Sequence, residues 1–350
     1  MPAGARAPLE ESFVNLIALL AVLVLPVQTP QAPTPESQAW EAALQLKNKA
    51  AYVEAAGRWE AYARDFPTAP RARQALVEAG VCFFSAGRGA QVLHRNTELA
   101  SAHMAKARTL FDRVCTEAPK ELIASRARHM RGSTFLFSGE LAQAEDAYSS
   151  VLEQFSMDRN YVEKALEYRA MTRRHLLKGS EAIADMERFL KDFPRSNRTE
   201  NMKSDLGFAQ LLGTKATPWK AERWILGEPA PLEMLSGQVA ALYFWATWCP
   251  NCAKEESFMI DLARRFGSKG LALVGVTDHQ QGQTPESILL HVKSKGYNFP
   301  VFQDSGACSL AYKATSIPYV VLIDRHGKVR WNDSPADLYD ATIMKLLAEE

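Results

Sequence analysis

Residues 239–252 read Val-Ala-Ala-Leu-Tyr-Phe-Trp-Ala-Thr-Trp-Cys-Pro-Asn-Cys, and this stretch decides how the last third of the chain folds. Its first seven residues are apolar, which predicts a buried strand from Val239 to Trp245. A helix is predicted from Cys252 to Phe266, because apolar side chains recur there at helical spacing. Cys249 would stand at the start of that helix, where unpaired N–H groups and the helix dipole favour an anion. We therefore expect a lowered pKa for the Cys249 thiol, which would make it an attacking thiolate.

The spacing of the two cysteines suits a disulfide. Pro250 fits the first helical turn, where its missing N–H would be unpaired anyway. Cys252 lies on the same side of the helix one turn after Cys249, where it can close a disulfide and release a substrate. The alternatives are half of a metal site or two unrelated thiols. The other three cysteines stand singly, so a four-cysteine zinc site has no second pair and no metal is expected.

Strands and helices alternate in the C-terminal part of the chain. Besides the segments already described, three strands and two helices are predicted there. The strands are Leu271 to Thr277, Phe299 to Phe302 and Tyr319 to Asp324, and the helices are Glu286 to Lys295 and Ser309 to Lys313. Alternation of this kind indicates an α/β domain with a mixed sheet.

The part of the chain before this domain differs in composition and in the spacing of its apolar residues. From about Ser37 to Gly213 the chain is rich in Ala, Leu, Arg and Glu, with apolar residues at helical spacing. The helical pattern repeats, and four repeat units end at positions 67, 119, 156 and 194, at intervals of 52, 37 and 38 residues. An insertion of fifteen residues between about Arg88 and Ala102 accounts for the longest interval. A constant period of this length predicts a solenoid of helix pairs.

One repeat unit shows what the repeats resemble. Gly132, Phe135, Gly139, Ala144 and Tyr148 have the spacing of a tetratricopeptide helix pair, in which small residues let two helices approach and aromatic residues fill the gap. The resemblance implies a concave surface that holds a peptide or protein partner. A solenoid that only spaces or oligomerises its neighbour is the alternative, and the sequence does not separate the two.

Composition limits the classes of function. The chain has 350 residues, 47% apolar and 23% charged, which excludes a disordered chain and a polytopic membrane protein. The 41 basic and 40 acidic residues give a net charge of +1, so no nucleic-acid partner is expected. Five cysteines are too few for a disulfide scaffold.

The N-terminus carries a short apolar run. Phe13 to Leu25 is interrupted once, by Asn15. Its thirteen residues suit the core of a signal peptide and are too few for a membrane-spanning helix of about 20 residues. A signal peptide or an uncleaved N-terminal anchor is therefore predicted for residues 1–29, followed by a Pro-rich spacer at residues 30–36. Either one would place the rest of the chain outside the cytoplasm, in the periplasm or cell envelope.

The stretch around the two cysteines is also a family signature. Residues 244–252 resemble the active-site segment of the thioredoxin superfamily, in particular its TlpA/ResA-like branch, and the resemblance extends over about Ile225 to Glu350. It implies a thioredoxin-fold domain and a thiol-disulfide oxidoreductase with a redox-active Cys249–Cys252 disulfide. No other cofactor is implied. The implied partners are protein thiols or disulfides and a redox partner protein that supplies or accepts electrons.

The resemblance assigns roles to further residues. In the family, a cis proline stands opposite the disulfide, and the residue before it offers its backbone to the substrate. These positions match Pro318 and Ile317. Trp248 and Pro250, which flank Cys249, are the other predicted substrate-binding residues.

A departure from cytosolic thioredoxins concerns the proton acceptor. Tyr243 stands where those proteins have a buried aspartate. The TlpA/ResA-like branch often carries a glutamate three residues after the second cysteine, which matches Glu255. A carboxylate one helical turn from Cys252 could take the proton of its thiol. The alternative is that Glu255 is a solvated helix residue.

These inferences combine into a multidomain architecture. An all-α tetratricopeptide-like solenoid at residues 37–213 precedes a linker at 214–223 and an α/β thioredoxin-fold domain at 224–350. We expect Trp219 and Trp224 of the connection to pack and to fix the two parts relative to each other, because the connection has little Gly or Ser.

Two alternative functions remain open. One is an envelope interaction scaffold with a vestigial redox domain. The other is a peroxiredoxin-like thiol peroxidase, which would need threonine at position 246, where the chain has Ala246. The remaining cysteines, Cys82, Cys115 and Cys308, are expected to act as small buried hydrophobic residues. The alternative for Cys82 and Cys115 is a disulfide, and the alternative for Cys308 is a third redox thiol.

The predicted export can be tested directly. A reporter enzyme that is active only after export, fused to the first 40 residues, should be active because the apolar run has the length of a signal-peptide core. Reporter activity confined to the cytosol would contradict the prediction.

Overall fold

The computed structural model describes residues 32–92 and 97–349. The described residues up to position 209 form helices that pack mainly on their neighbours in sequence. The helices are α1 (Pro35–Asn48), α2 (Tyr52–Asp65), α3 (Ala72–Val92), α4 (Thr97–Glu117), α5 (Leu122–Phe137), α6 (Leu141–Gln154), α7 (Arg159–His175), α8 (Gly179–Asp192) and α9 (Thr199–Ala209). Helix α5 also contacts both α3 and α7, so alternate helices stack as they do in a solenoid. The all-α architecture of this region is confirmed, while its assignment as tetratricopeptide repeats remains a prediction.

Glycines set how closely the paired helices approach. A Cβ atom at Gly80 would lie 2.5 Å from the ring of Phe111, and one at Gly132 would lie 2.7 Å from the ring of Tyr148. Both rings are fully buried. Only glycine leaves room for them, which is the physical reason for the repeated spacing of small and aromatic residues. The inserted residues lengthen α3 and α4 to 21 residues each.

The C-terminal part is a six-stranded mixed sheet with helices on both faces. Its strands are β1 (Arg223–Leu226), β2 (Val239–Phe244), β3 (Leu271–Thr277), β4 (Val301–Gln303), β5 (Tyr319–Ile323) and β6 (Val329–Asp333). Their order across the sheet is β1-β4-β3-β2-β5-β6. Strands β2, β3 and β4 are parallel, and the other pairings are antiparallel. This is the thioredoxin fold that the resemblance implied. Strands β1 and β6 were not predicted from the sequence.

Two cores cover the two faces of the sheet. Alternate residues of β2 face opposite sides, so Tyr243 belongs to one core and Phe244 to the other. The first core includes side chains of α10 (Pro250–Phe266), α11 (Pro285–Lys295) and α13 (Asp340–Ala348), and the second includes Cys308 of α12 (Ala307–Ala311). Because both faces are covered, every residue of β2 is at most 2% exposed, which explains its uninterrupted apolar sequence.

The connection between the two parts packs against the sheet. The N–H of Ala216 donates to the carbonyl of Gly327 at 2.7 Å, and the N–H of Val329 donates to the carbonyl of Thr214 at 2.9 Å. Trp219 is buried and stacks on Phe302, and the half-buried Trp224 contacts the same ring. The prediction that these tryptophans pack is confirmed. The division of the chain into domains at positions 214 and 224 remains a prediction.

Buried polar contacts join the helices to the sheet. Arg174 at the end of α7 donates to the carbonyl of Asn332 in β6 and forms an ion pair with Asp333 at 2.9 Å. The side-chain amide of Asn332 donates to the carbonyl of Phe208 in α9 at 2.9 Å. Arg174 is 6% exposed and Asn332 is fully buried. An unpaired polar group there would be costly, so these contacts hold α7 and α9 in one position against the sheet.

No helix in the two described ranges is both long enough and apolar enough to cross a lipid bilayer. The apolar run at Phe13 to Leu25 lies outside the described residues.

Two buried histidines make stability depend on pH. Burial lowers the pKa of His129 and of His175 to about 3. Between about pH 6.5 and 3 the unfolded chain therefore binds protons that the folded chain does not. Each histidine should lower the free energy of unfolding by up to about 1.4 kcal/mol for each pH unit below 6.5.

Denaturant titrations between pH 7.5 and 5 measure this slope. The His129→Gln and His175→Gln variants should each have a smaller slope than the wild type. The control is Ser257→Ala, at an exposed position of α10, which removes no titratable group and should keep the wild-type slope. Equal slopes in all four proteins would contradict the prediction.

Candidate active site

The two central cysteines form a disulfide at the start of α10. Cys249 is the N-cap of the helix, Pro250 is its first residue, and the Cα atoms of Cys249 and Cys252 are 5.2 Å apart. The Sγ of Cys249 accepts the N–H of Cys252 at 3.1 Å. Cys249 is 6% exposed and Cys252 is fully buried. Of the two sulfurs, only that of Cys249 is therefore within reach of a second molecule.

Strand β2 determines where this helix begins. The strand ends at Phe244, and the N–H of Trp245 still donates to the carbonyl of Val276 in β3 at 3.1 Å. A turn closed by a hydrogen bond from the N–H of Cys249 to the carbonyl of Ala246 at 3.2 Å then leads into α10. The disulfide thus lies at the carboxyl end of a central strand, where α/β folds commonly place their functional groups.

The loop before β5 stands opposite the disulfide. The Ile317–Pro318 peptide bond is cis, and the carbonyl oxygen of Ile317 is 3.7 Å from the Sγ of Cys249. Both residues are half-buried, whereas Thr315 and Ser316 before them are exposed. Among the described residues, the N–H of Ile317 has no hydrogen-bond partner.

A cleft of about 260 Å³ opens beside this loop. Trp248 and Ile317 both line it, and the indole N–H of Trp248 donates to the carbonyl of Gln280 at 3.2 Å. The fold therefore brings together Cys249, Trp248 and Ile317. Pro250 is exposed at the helix start and does not line the cleft.

Glu255 of α10 does not line this cleft. It is half-buried and lines a cavity of about 550 Å³ that also contains Gln91 and Thr97, at the ends of α3 and α4. Burial raises the pKa of Tyr243, and the nearby carboxylates of Glu256 and Glu255 raise it further. The Tyr243 hydroxyl has no hydrogen-bond partner within the described part of the chain.

A second carboxylate near the disulfide was not predicted. Glu256 is one helical turn after Cys252 and is 3% exposed. Its Oε1 contacts the Nε2 of His291 at 2.5 Å and accepts the hydroxyl of Tyr297 at 3.3 Å. Its Oε2 is 3.5 Å from the Nζ of Lys295. These three groups compensate for the burial of the carboxylate.

A sequence signal for Glu256 does exist. The buried face of α10 contains Cys252, Glu256, Met259, Leu262 and Phe266, which recur at intervals of three and four residues. A glutamate in such a stripe must find a partner in the core. Its partners could not be identified in advance, because His291 is 35 residues away in the chain.

The other cysteines are free thiols. Cys82 and Cys308 are buried, and Cys115 is partly buried. Burial raises the pKa of Cys82 to about 11 and also raises the pKa of the Cys308 thiol. Thiols in such surroundings are poor nucleophiles, which agrees with their prediction as small hydrophobic residues.

The buried position of Glu256 predicts a large effect on stability. Glu256→Ala should lower the free energy of unfolding by about 3 kcal/mol, because it leaves His291, Lys295 and Tyr297 without their common acceptor. The control is Ser257→Ala, at the next and exposed position of α10, which should change it by about 0.5 kcal/mol or less. Urea denaturation of the oxidised proteins measures both values. A decrease in the free energy of unfolding for Glu256→Ala as small as that of the control would show that the contacts of Glu256 are unimportant for stability.

Comparisons with known proteins agree with this geometry. Residues 212–332 match the model of the AhpC/TSA family. The thiol-disulfide oxidoreductase ResA of Bacillus subtilis is 36% identical over 104 residues, which are 29% of this chain and 56% of ResA. The thioredoxin-like protein YneN of the same organism is 26% identical over 124 residues, 35% of this chain and 69% of YneN. The chain thus spans about half the length of ResA.

Two solved structures of thioredoxin-type proteins are also similar to this chain. A thiol:disulfide interchange protein of Chlorobium tepidum is 25% identical, with a TM-score of 0.34. The match covers 39% of this chain and 97% of the Chlorobium protein. The thioredoxin-like superfamily protein SPOA0173 is 24% identical, with a TM-score of 0.36 and the same coverage. Together with the sheet order and the paired cysteines, the family match and the curated relatives show that the C-terminal part of the chain is an AhpC/TSA thioredoxin-like domain with ResA homologues.

Proposed function

We propose that this chain is an exported thiol-disulfide oxidoreductase that exchanges disulfides with protein substrates through Cys249 and Cys252. The observation that carries the proposal is the disulfide at the start of α10 facing the cis Ile317–Pro318 loop. The name of the ResA relatives supports the same activity. The apolar run at the N-terminus supports export, to the periplasm or cell envelope.

The exchange proceeds in two steps, and each step conserves atoms and electrons. The Cys249 thiolate attacks a substrate disulfide, forms a mixed disulfide and releases one substrate sulfur as a thiolate, which takes up a proton. Cys252 then loses its proton and attacks the Sγ of Cys249, which forms the Cys249–Cys252 disulfide and releases the second substrate sulfur. Two electrons pass from the chain to the substrate, and the reverse sequence oxidises a substrate dithiol. A redox partner protein restores the starting state in either direction.

The cleft accounts for recognition of the substrate. Its position next to Cys249 would let an extended polypeptide lie between Trp248 and Ile317. The unpaired N–H of Ile317 can donate to that polypeptide, as in strand addition at a free edge. Pro250 would meet the substrate at the outer rim, since it is exposed at the helix start.

Glu255 is the proposed proton acceptor for Cys252. Its position one turn after Cys252 and the open cavity beside it would let a proton leave the core during the second step. The oxygens of Glu256 contact His291, Tyr297 and Lys295. We assign to Glu256 the support of α10.

The helical region is proposed to bind a protein partner. Stacked helix pairs provide an extended surface for a peptide or a folded protein. The buried contacts of Arg174 and Asn332 keep this surface in a fixed position relative to the disulfide.

The alternatives fit less well. A scaffold with a vestigial redox pair would need neither the disulfide nor the cis peptide opposite it. A thiol peroxidase would need a hydroxyl three residues before Cys249, where Ala246 stands. The hydroxyl of the neighbouring Thr247 donates to the Oε1 of Gln283 at 2.9 Å and is not directed to Cys249.

Cysteine variants test the proposal. In an insulin-reduction assay with dithiothreitol as the electron donor, Cys249→Ser should reduce insulin only at the uncatalysed rate, because the attacking sulfur is lost. Cys252→Ser that has been reduced and then freed of dithiothreitol should accumulate a mixed disulfide with insulin that mass spectrometry detects, because no second thiol resolves it. Cys308→Ala is the matched control and should retain wild-type activity, since its thiol is buried. Wild-type activity in Cys249→Ser would contradict the proposed function.

A further inference from the structure

A second groove continues from the cleft beside the disulfide and reaches the helical region. It has a volume of about 360 Å³ and lies between α9 and α12. We call it the α9 groove. Its lining residues are Ser204, Gly207, Phe208, Ser309, Leu310, Lys313 and Thr315.

The α9 groove adjoins the active-site cleft. Ser309 and Thr315 line both cavities, and Thr315 is only two residues from Ile317. A polypeptide that lies along Ile317 therefore meets the α9 groove within a few residues, since an extended chain advances about 3.3 Å per residue.

The walls of the groove are apolar and accessible. Leu310, on the short helix α12, is 83% exposed, and Phe208 of α9 is half-buried. A large apolar side chain left this exposed next to a second apolar residue is typical of a binding surface.

The groove is also held in shape. The ammonium group of Lys313 donates to the carbonyl of Gly207 at 2.8 Å and to the side chain of Gln210 at 3.4 Å. The carbonyl of Phe208 accepts from Asn332. The charge at the groove is thus already used to join α9 to the thioredoxin-like domain, and a preformed apolar pocket costs little ordering on binding.

We propose that the α9 groove binds an apolar side chain of the substrate polypeptide, a few residues away from the substrate cysteine. This inference rests on the proposed function and extends it, since it gives the helical region a direct part in the choice of substrate. Continuity with the cleft identifies the occupant, because the same extended chain would fill both cavities. Burial of one leucine side chain should favour a substrate by about tenfold or more.

Two peptide disulfides test the inference. Each is a symmetric disulfide dimer of a short cysteine peptide, with leucines on both sides of the cysteine in one and serines in the other. In a single turnover, which oxidises its Cys249–Cys252 dithiol to the disulfide, the reduced full-length chain should cleave the leucine dimer with a second-order rate constant about tenfold higher than that for the serine dimer. The readout is the ratio of the two values, measured from the peptide thiol that is released.

Matched glycine variants locate the preference. A Cβ at Gly207 would meet nothing within 4 Å, so Gly207→Leu can project into the α9 groove without a clash and should lower the ratio to near one. Gly57 in α2 is also a helical glycine with open space around it, and Gly57→Leu should keep the wild-type ratio. Leu310→Ser, at an exposed position that the fold does not need, should lower the ratio as well.

The outcomes separate the two proposals. A wild-type chain that cleaves neither dimer would refute the proposed function and this inference together. Cleavage of both dimers at equal rates, or a ratio that Gly207→Leu and Leu310→Ser leave unchanged, would refute only the α9 groove. If instead the wild type sediments as a dimer that Leu310→Ser dissociates while the ratio persists, the groove holds a second copy of the chain and the inference is wrong.

Discussion

The junction between β2 and α10 is the constraint on which the rest of the structure depends. Strand β2 has neighbours on both edges and a core on both faces, so its position is fixed from four sides. The helix that follows must start at the carboxyl end of this strand, and Cys249 is its N-cap. The sulfur of Cys249 thus stands just beyond the end of a central strand, and the loop opposite it leads into the neighbouring strand β5. Support from neighbouring strands keeps the sulfur and the loop in a fixed position relative to each other.

The core below the disulfide combines apolar packing with one buried charge. The Glu256 carboxylate would be costly in this environment without partners, and it obtains them from α11 and the turn after it. The same contacts tie α10 to α11, on the face of the sheet where Cys252 is buried. A charge that is expensive to bury therefore also specifies how two helices pack, because other arrangements would leave it unpaired.

The attachment of the helices to the sheet has a consequence for function. Arg174 and Asn332 place the ends of α7 and α9 against the edge strand β6, and Lys313 ties α9 to α12. Helix α9 consequently forms one wall of a groove that leads to the disulfide. The polar contacts fix the geometry, and the apolar residues between them remain available for a ligand. The groove beside α9 and the cleft beside the disulfide share lining residues, so the helical region and the disulfide border adjoining cavities.

The sequence by itself determined the features that depend on local patterns. The strand-turn-helix at residues 239–266, with Cys249 at the start of its helix, and the all-α character of the region before it followed from local patterns, because neighbouring residues specify each of them. Strands β1 and β6 escaped prediction. Strand β1 is short and pairs with β4, which lies far along the chain, and three of the five residues of β6 are polar, which weakens its apolar pattern. Only the tertiary structure decided that Glu256 meets His291, that the backbone of Ala216 bonds to that of Gly327, and that α9 contacts Lys313 about a hundred residues later. These contacts depend on how separate elements dock in space, and no local sequence pattern encodes that docking.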